Sequence, residues 1–221
     1  MRKKCIRDGD ITSRMEIVDL IPVNARKILD VGCGYGGVGY ALKQQQVCEV
    51  IGIECDEERN KEASRKIDKV INEDIENLQF KFEEKYFDCI IFADVLEHLR
   101  DPLETLLQYK EYLNDNGKII VSIPNVRQLS VLFELLFLGD WKYREFGLLD
   151  KGHLRFFTKK SACRLFEQAG LRLLSMDSIF SIKGSKYINI LSLGILRNFL
   201  TAQYVCCLEK WDRPKIKRSV K

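Results

Sequence analysis

ILDVGCGYGG, Ile28 to Gly37, joins an apolar run to one acid, Asp30, and then to four glycines within six residues. The apolar run has the length and β-branched content of a buried strand. The glycines read as the turn after it, because residues without Cβ let a backbone approach a ligand closely and take positive φ. Gly32, Gly34 and Gly37 formally match G-x-G-x-x-G, a turn that cradles the phosphates of an adenosine cofactor at a helix N-terminus. Asp30 argues against phosphate, since a carboxylate two residues ahead of such a turn repels it.

Outward from this stretch, strands and helices alternate, which points to βα units and a parallel sheet. After the first strand (27–31) a helix is predicted over 37–45. A strand (48–54), a helix (56–67), a short strand (69–72) and a fourth strand (87–93) follow. The unbroken apolar character of FDCIIFA predicts burial on both faces. Pro102 opens a helix over 102–113, and NDNG turns into a fifth strand, 118–124. The apolar and aromatic stretch 125–158 then interrupts the rhythm before a helix over 159–170. LRLLSMDSIF and TAQYVCCLEK read as closing strands with a helix between them.

Glu54 ends the second strand, where an acid holds ribose hydroxyls. Together with Asp30 it favours an adenosine cofactor that carries positive charge, such as S-adenosylmethionine with its ammonium and sulfonium. Turn hydrogen bonding is the plainer role for Asp30. The later stretches follow suit. ILDVGCGYG, VIGIECD, NEDIENL, FDCIIFADVLEHLRDP and LNDNGKIIVSIPN resemble, in order, the five cofactor motifs of class I S-adenosylmethionine-dependent methyltransferases. The likeness covers about Lys27 to Asn125 and continues through HLRFFTKKSACRLFEQAGL to about Leu171. It implies an α/β, Rossmann-like three-layer sandwich around a mostly parallel sheet of seven strands in the order 3-2-1-4-5-7-6. It also implies a cofactor site of Asp30, Gly32, Cys33, Gly34, Glu54, Cys55, Asp74, Ile75, Ala93 and Asp94, with Asp74 meeting the adenine amino group. Met1–Asn24 ahead of the first strand is short for this family, so an abbreviated lid is expected on one side.

The chain has two histidines, His98 and His153, both beside predicted strand ends on the cofactor side. Imidazole suits proton transfer near neutrality, so His153 is the expected base and His98 its companion; a hydrogen-bonded turn is the plainer role for each. Asp94, Glu97, His98 and His153 also resemble the ligand pattern of two metal-assisted O-methyltransferase groups, one in ubiquinone biosynthesis and one acting on small RNAs. LEH is widespread in metal-free relatives, and no metal is expected here. The stretch 139–158 resembles a segment of methyltransferases tied to glycan assembly. Trp141 and Tyr143 are open as stacking platforms, Phe156 and Phe157 read as packing, and Asp150 and Arg155 are polar candidates at the same mouth.

The expected activity is methylation of a hydroxyl on a saccharide or other small molecule, in one domain with an acceptor insertion at about 125–158. A quinone- or catechol-type O-methyltransferase, or an N-methyltransferase, is the alternative. A cofactor-binding protein without catalysis, serving an assembly complex, is the rival of another class, and a dehydrogenase trails them. The balance of 31% charged and 46% hydrophobic residues is that of a globular protein, and the net charge of +4 gives no strong nucleic-acid signal. The basic tail KWDRPKIKRSVK reads as a solvated terminus. Eight cysteines without a C-x-x-C pair, mostly in apolar runs, point to free thiols and a cytoplasmic location. The apolar runs 129–139 and 188–196 are too short to span a bilayer; core or lid helices are expected there, with peripheral membrane contact as the alternative.

Overall fold

Strands, then helices, appear largely where hydrophobic periodicity places them. The computed structural model describes residues 14–180 and 184–211; Cys5, Lys183 and the basic tail beyond Trp211 lie outside these. In chain order come α1 (Met15–Val18), β1 (Lys27–Val31), α2 (Gly37–Gln45), β2 (Glu49–Ile53), α3 (Glu57–Ala63), β3 (Lys69–Ile71) and β4 (Phe87–Ala93). Then follow α4 (Pro102–Tyr112), β5 (Leu113–Pro124), α5 (Leu129–Phe133), α6 (Lys159–Gln168), β6 (Leu171–Phe180), α7 (Ser185–Leu191), α8 (Arg197–Leu200) and β7 (Thr201–Lys210). Single 3₁₀ turns lie at Ile75–Asn77 and Leu96–His98, and a π-helical turn, Glu134–Leu138, continues α5.

The strands form one seven-stranded sheet in the order β3-β2-β1-β4-β5-β7-β6. The first five pair in parallel, and β7 runs antiparallel to both β5 and β6. Alternation sorts each continuous apolar run between two cores. Leu29, Val31, Ile90 and Phe92 enter the core that also holds Tyr109 and Phe166. Ile28, Cys89 and Ile91 enter the other, with Ala41 and Leu42 of α2. Both layers need helices, so β4 is buried on both faces as its composition predicts.

Caps set where the helices start. Asp101 accepts from the N–H groups of Leu103 and Glu104 at 3.1 and 3.0 Å, ahead of Pro102 at the head of α4. Thr158 and Ser161 form a capping box for α6. Glu76 accepts from the N–H groups of Arg100 and Asp101 at 2.8 and 2.9 Å, joining the loop after β3 to the start of α4.

Three elements differ from the sequence expectation. The single helix expected between the closing strands is two short ones, because Leu193 and Gly194 take left-handed φ values of 49 and 80° and end the first. The turn expected at Asn114–Gly117 keeps its local bond, Asn116 N–H to Asn114 Oδ1 at 3.0 Å, but lies inside β5, where the pairing with β4 shifts register. Helix α1 has no counterpart in the periodicity; it is held by burial of Ile17 and Val18.

Cys33 packs its thiol over the backbone of β2. A Cβ on Gly52 would lie 2.5 Å from Cys33 Sγ and 2.8 Å from Ile67 Cδ1. Gly52→Ala is therefore expected to lower stability in chemical denaturation by about 1–3 kcal/mol, the usual cost of overpacking. Adding Cys33→Ala should return part of that loss, so the double variant is less destabilised than the sum of the singles.

Candidate active site

The carboxyl ends of β1, β2, β4 and β5 converge, and the sheet reverses its order between β1 and β4, the place where open α/β sheets bind ligands. Gly32 and Cys33 donate their N–H groups to Ile53 O at 2.8 and 3.1 Å, which pins the glycine turn over β2. Buried Glu54 follows β2. Its Oε2 accepts from Gly34 N–H at 3.0 Å and its Oε1 from Asp56 N–H at 2.9 Å. One carboxylate thus ties the turn to the start of α3.

Asp30 is 1% exposed, and neither carboxylate oxygen has a hydrogen-bond partner among the described residues. Burial, and then the neighbouring Glu54 charge, push its carboxyl up to about 7. Such a group is an electrostatic socket for a cation. Gly34 supplies the room: at φ 55°, a Cβ there would meet nothing within 4 Å. Ile75 walls the turn, its Cδ1 lying 3.4 Å from where a Cβ on Gly32 would sit. Asp74 is exposed beside it and accepts from Glu76 N–H and Asn77 Nδ2 at 3.0 and 3.1 Å. Cys55 and Ala93 are half-buried at the ends of β2 and β4. Cys33 turns its side chain to the core, so only its backbone faces the turn. An unanswered buried carboxylate, an open glycine cradle and an acid after β2 fit a positively charged adenosine cofactor.

Asp94 follows β4 with φ 56°, a left-handed conformation that Asp tolerates better than most residues. Its Oδ1 accepts from Ser122 Oγ at 2.8 Å, and its N–H donates to the same hydroxyl at 3.0 Å. Gln203 Nε2 donates to Oδ1 and Arg14 forms an ion pair with Oδ2. Arg14 also donates to Gln203 Oε1 at 3.1 Å and to Glu16 at 2.6 Å. Burial opposes the guanidinium charge, but Asp94 and Glu16 outweigh it and raise its pKa.

Beyond Asp94 a cavity of about 440 Å³ opens between the ends of β4 and β5, the start of β7 and the insertion. Asp94, Glu97, His98, Asp150, His153 and Gln203 line one part of it, and Gln128, Ser130, Glu134 and Arg144 add further polar groups. The imidazoles of His98 and His153 meet edge to face, centroids 4.8 Å apart. Burial first, and the neighbouring His153 second, hold His98 at about 4. Burial also lowers His153, against the pull of Leu148 O, Asp150 and Asp94. His153 Nδ1 lies 3.2 Å from Leu148 O. A carbonyl only accepts, so the proton is on Nδ1 and Nε2 carries the lone pair. Glu97 is 1% exposed; its Oε2 has no partner among the described residues, and burial followed by the Asp94 charge raises its pKa well above the carboxylate range. Its carbonyl accepts from the N–H groups of Leu154 and Arg155 at 2.8 and 2.9 Å, anchoring the insertion. One donor atom each from Glu97, His98 and His153 lie within 4.8 Å of one another. Gly152 permits this closeness, since a Cβ there would come within 3.1 Å of His98 Nδ1.

The fold thus gathers the proposed cofactor residues around one turn and both histidines around one cavity, with Asp94 between. Trp141 packs edge-on against Phe156 at 5.1 Å, with Tyr143 at 6.4 Å from the same ring, and neither lines the cavity. Phe157 is buried, as expected. Arg155 donates to Arg100 O rather than into the cavity. Sequence reasoning missed Arg14, Ser122 and Gln203. Gln203 had a signal, an amide on the face of β7 that otherwise carries Val205 and Cys207. Arg14 had none.

A family model described as a methyltransferase domain matches residues 10–176. A mitochondrial ubiquinone biosynthesis O-methyltransferase of Bos taurus is 33% identical over 125 residues, 52% of this chain and 33% of that protein. The chain therefore spans about a third of that relative's length. A ubiquinone biosynthesis O-methyltransferase of Coxiella burnetii is 26% identical over 168 residues, covering 72% of this chain and 69% of its own. Among solved structures, an Archaeoglobus fulgidus SAM-dependent methyltransferase superposes with a TM-score of 0.63 at 20% identity, over 85% of this chain and 87% of that one. A Mesorhizobium loti S-adenosylmethionine-dependent methyltransferase gives 0.64 at 14% identity, over 89% and 96%.

The socket has a signature without any ligand. In the unfolded chain Asp30 titrates near about 3.9, and in the fold at about 7. Below the first value both states are protonated and burial of Asp30 costs nothing through ionisation. Between the two values the fold keeps a proton that the unfolded chain releases, so stability falls as pH rises. Asp30→Asn removes this slope. Chemical denaturation is expected to favour the variant, relative to wild type, by about 2–3 kcal/mol more at pH 8 than at pH 5. A pH-independent difference would contradict the unpaired, buried carboxylate.

Proposed function

The chain belongs to the S-adenosylmethionine-dependent methyltransferase family, and on that premise we propose that it methylates a hydroxyl on the ring of a small, largely apolar acceptor. The observation that carries this reading is His153: it lines the cavity with Nε2 deprotonated and Nδ1–H spent on Leu148 O. Pro124, Val131, Phe146, Leu148 and Leu149 give the wall an apolar part beside the polar Gln128, Ser130, Glu134 and Arg144, and that apolar part supports a phenolic or quinol ring over a saccharide. Trp141 and Tyr143, the aromatic residues best placed in sequence to stack on a sugar, are spent on Phe156. The names of the bovine and Coxiella relatives agree with this direction.

The cofactor supplies an electrophilic methyl group. In this reading Asp30 answers its positive charge, Glu54 takes the ribose hydroxyls, and Asp74 with Ile75 borders the adenine. Backbone of Gly32, Cys33 and Gly34 passes beneath it, and Cys55, Ala93 and Asp94 close the edges. His153 Nε2 removes the acceptor's proton as charge develops on oxygen. His98 braces that ring edge-on.

Glu97 supports a second reading. A buried carboxylate oxygen without a partner, close to two neutral imidazoles, is a donor set that fits a divalent cation. Glu97, His98 and His153 would hold it, with Asp94 committed to Arg14; its chemistry would be to lower the pKa of the acceptor hydroxyl.

Steady-state assays with labelled cofactor and a panel of phenols, catechols and sugars test the acceptor class. His153→Ala is expected to lower kcat by about 10²–10⁴-fold while calorimetric cofactor affinity stays within about twofold, because His153 lies outside the proposed cofactor contacts. A variant that melts early but keeps near-normal kcat would reduce His153 to a packing group. On the first reading a chelator leaves turnover unchanged; loss of turnover restored by magnesium or manganese would transfer the assignment to the second.

A further inference from the structure

The two apolar stretches that the sequence left open as core, lid or surface both leave large side chains uncovered. Leu136, Phe137 and Leu138 of the π-helical turn are 72, 74 and 65% exposed, and Leu191, Leu193 and Ile195 around the α7–α8 junction are 84, 91 and 76% exposed. Single exposed leucines are ordinary, but clusters of this size mark a surface that something else covers. Both stretches spring from one root. Asn125 Nδ2 donates to Asn198 O and Thr201 O, each at 2.8 Å, and Arg127 lies over the Phe199 ring at 4.6 Å. The first stretch also walls the cavity: Val131 and Glu134 line it while Leu136 and Phe137 point outward.

Charge identifies the occupant. Between Asp177 and Glu209 the sequence holds three charged residues, Lys183, Lys186 and Arg197, all basic. Glu134, the acid within the other stretch, is turned to the cavity and paired with Arg144. Apolar side chains projecting from short helices, in a stretch of sequence whose charged residues are all basic, match a lipid surface that carries negative charge. A second copy of this chain fits less well, because a two-fold contact sets the same basic residues against themselves. No helix among the described residues is long and apolar enough to cross a membrane; the contact proposed is with its surface.

We propose that this face docks on an anionic lipid surface, with Leu136–Leu138 and Leu191–Ile195 entering the headgroup boundary and the cavity held next to it. The proposal does not depend on which acceptor the cavity takes.

Flotation of the full chain with vesicles tests it. Vesicles of phosphatidylcholine with about one-third phosphatidylglycerol should carry the protein to the top at low salt, and pure phosphatidylcholine should carry much less. Leu136→Glu with Phe137→Glu, and separately Leu191→Glu with Leu193→Glu, should each lower partition at least about tenfold, since each pair withdraws two large apolar side chains. Both variants alter exposed side chains, so melting temperature and calorimetric S-adenosylmethionine affinity should match wild type. Wild-type protein that stays at the bottom with the anionic vesicles would overturn the proposal. So would partition unaltered in both pairs, or a concentration-dependent dimer in sedimentation velocity that the glutamates dissolve while vesicles remain unbound.

Discussion

A buried carboxylate that no donor answers sits one residue before the end of β1, and much of the parallel sheet serves to keep it there. Asp30 is flanked by β2 and β4, both sealed on two faces, so water cannot reach it. Glu54, whose charge repels it, is held in place by two backbone N–H groups instead of being free to swing away. The fold therefore carries an electrostatic debt at one point, and a cofactor with fixed positive charge is the ligand that settles it. The glycine turn leaves open space in front of Gly34, where a side chain would otherwise intrude. Stability is given up locally so that binding can recover it, the usual relation between strain and function in a preorganised site.

Asp94 lies between the proposed cofactor residues and the cavity. Its neighbours come from four parts of the chain: Arg14 before α1, Ser122 in β5, Gln203 in β7 and the end of β4 itself. None of these side chains is catalytic by type. Together they hold a left-handed residue at the lip of the cavity, while the histidine pair on the other side is held by the carbonyls of Leu148 and Glu97. The proposed acceptor side is thus held by backbone anchoring of the stretch 125–158, and the proposed cofactor side by residues at the ends of strands.

The cofactor half was legible because its signals are local. A strand, an acid and a glycine turn are adjacent in ILDVGCGYGG, and Glu54 follows its strand directly. Strand boundaries at 27–31, 87–93, 171–180 and 201–210 were equally plain, since apolar and β-branched runs end there at glycine, charged or other polar and turn residues. The acceptor half was legible only in part. His98 and His153 could be paired because the chain has just two histidines. Arg14 and Gln203 could not be paired, because they meet across the sheet with nothing in either local sequence to predict it. The split of the expected helix at Leu193 and Gly194 was hidden for another reason: the flanking residues are uniformly apolar, so no periodicity marks the break. Trp141 and Tyr143 show the limit of composition, since an aromatic beside a site and an aromatic packed against Phe156 have the same sequence.

Arg14 and Gln203 stand 189 positions apart, and this separation orders events in time. On a ribosome, which releases a chain from its N-terminus, the glycine turn, Glu54 and Ile75 are all available long before β7 has been made. The parallel strands β1 to β5 pair with partners already synthesised, whereas β7 must insert between β5 and β6, the last of which has no other strand to pair with. Arrival of β7 delivers Gln203 to Asp94 and closes the longest hydrogen-bonded loop among the described residues, a step with a large chain-entropy cost. A growing chain can thus complete the glycine turn and its partner Glu54 well before β7 brings Gln203 to the wall of the cavity.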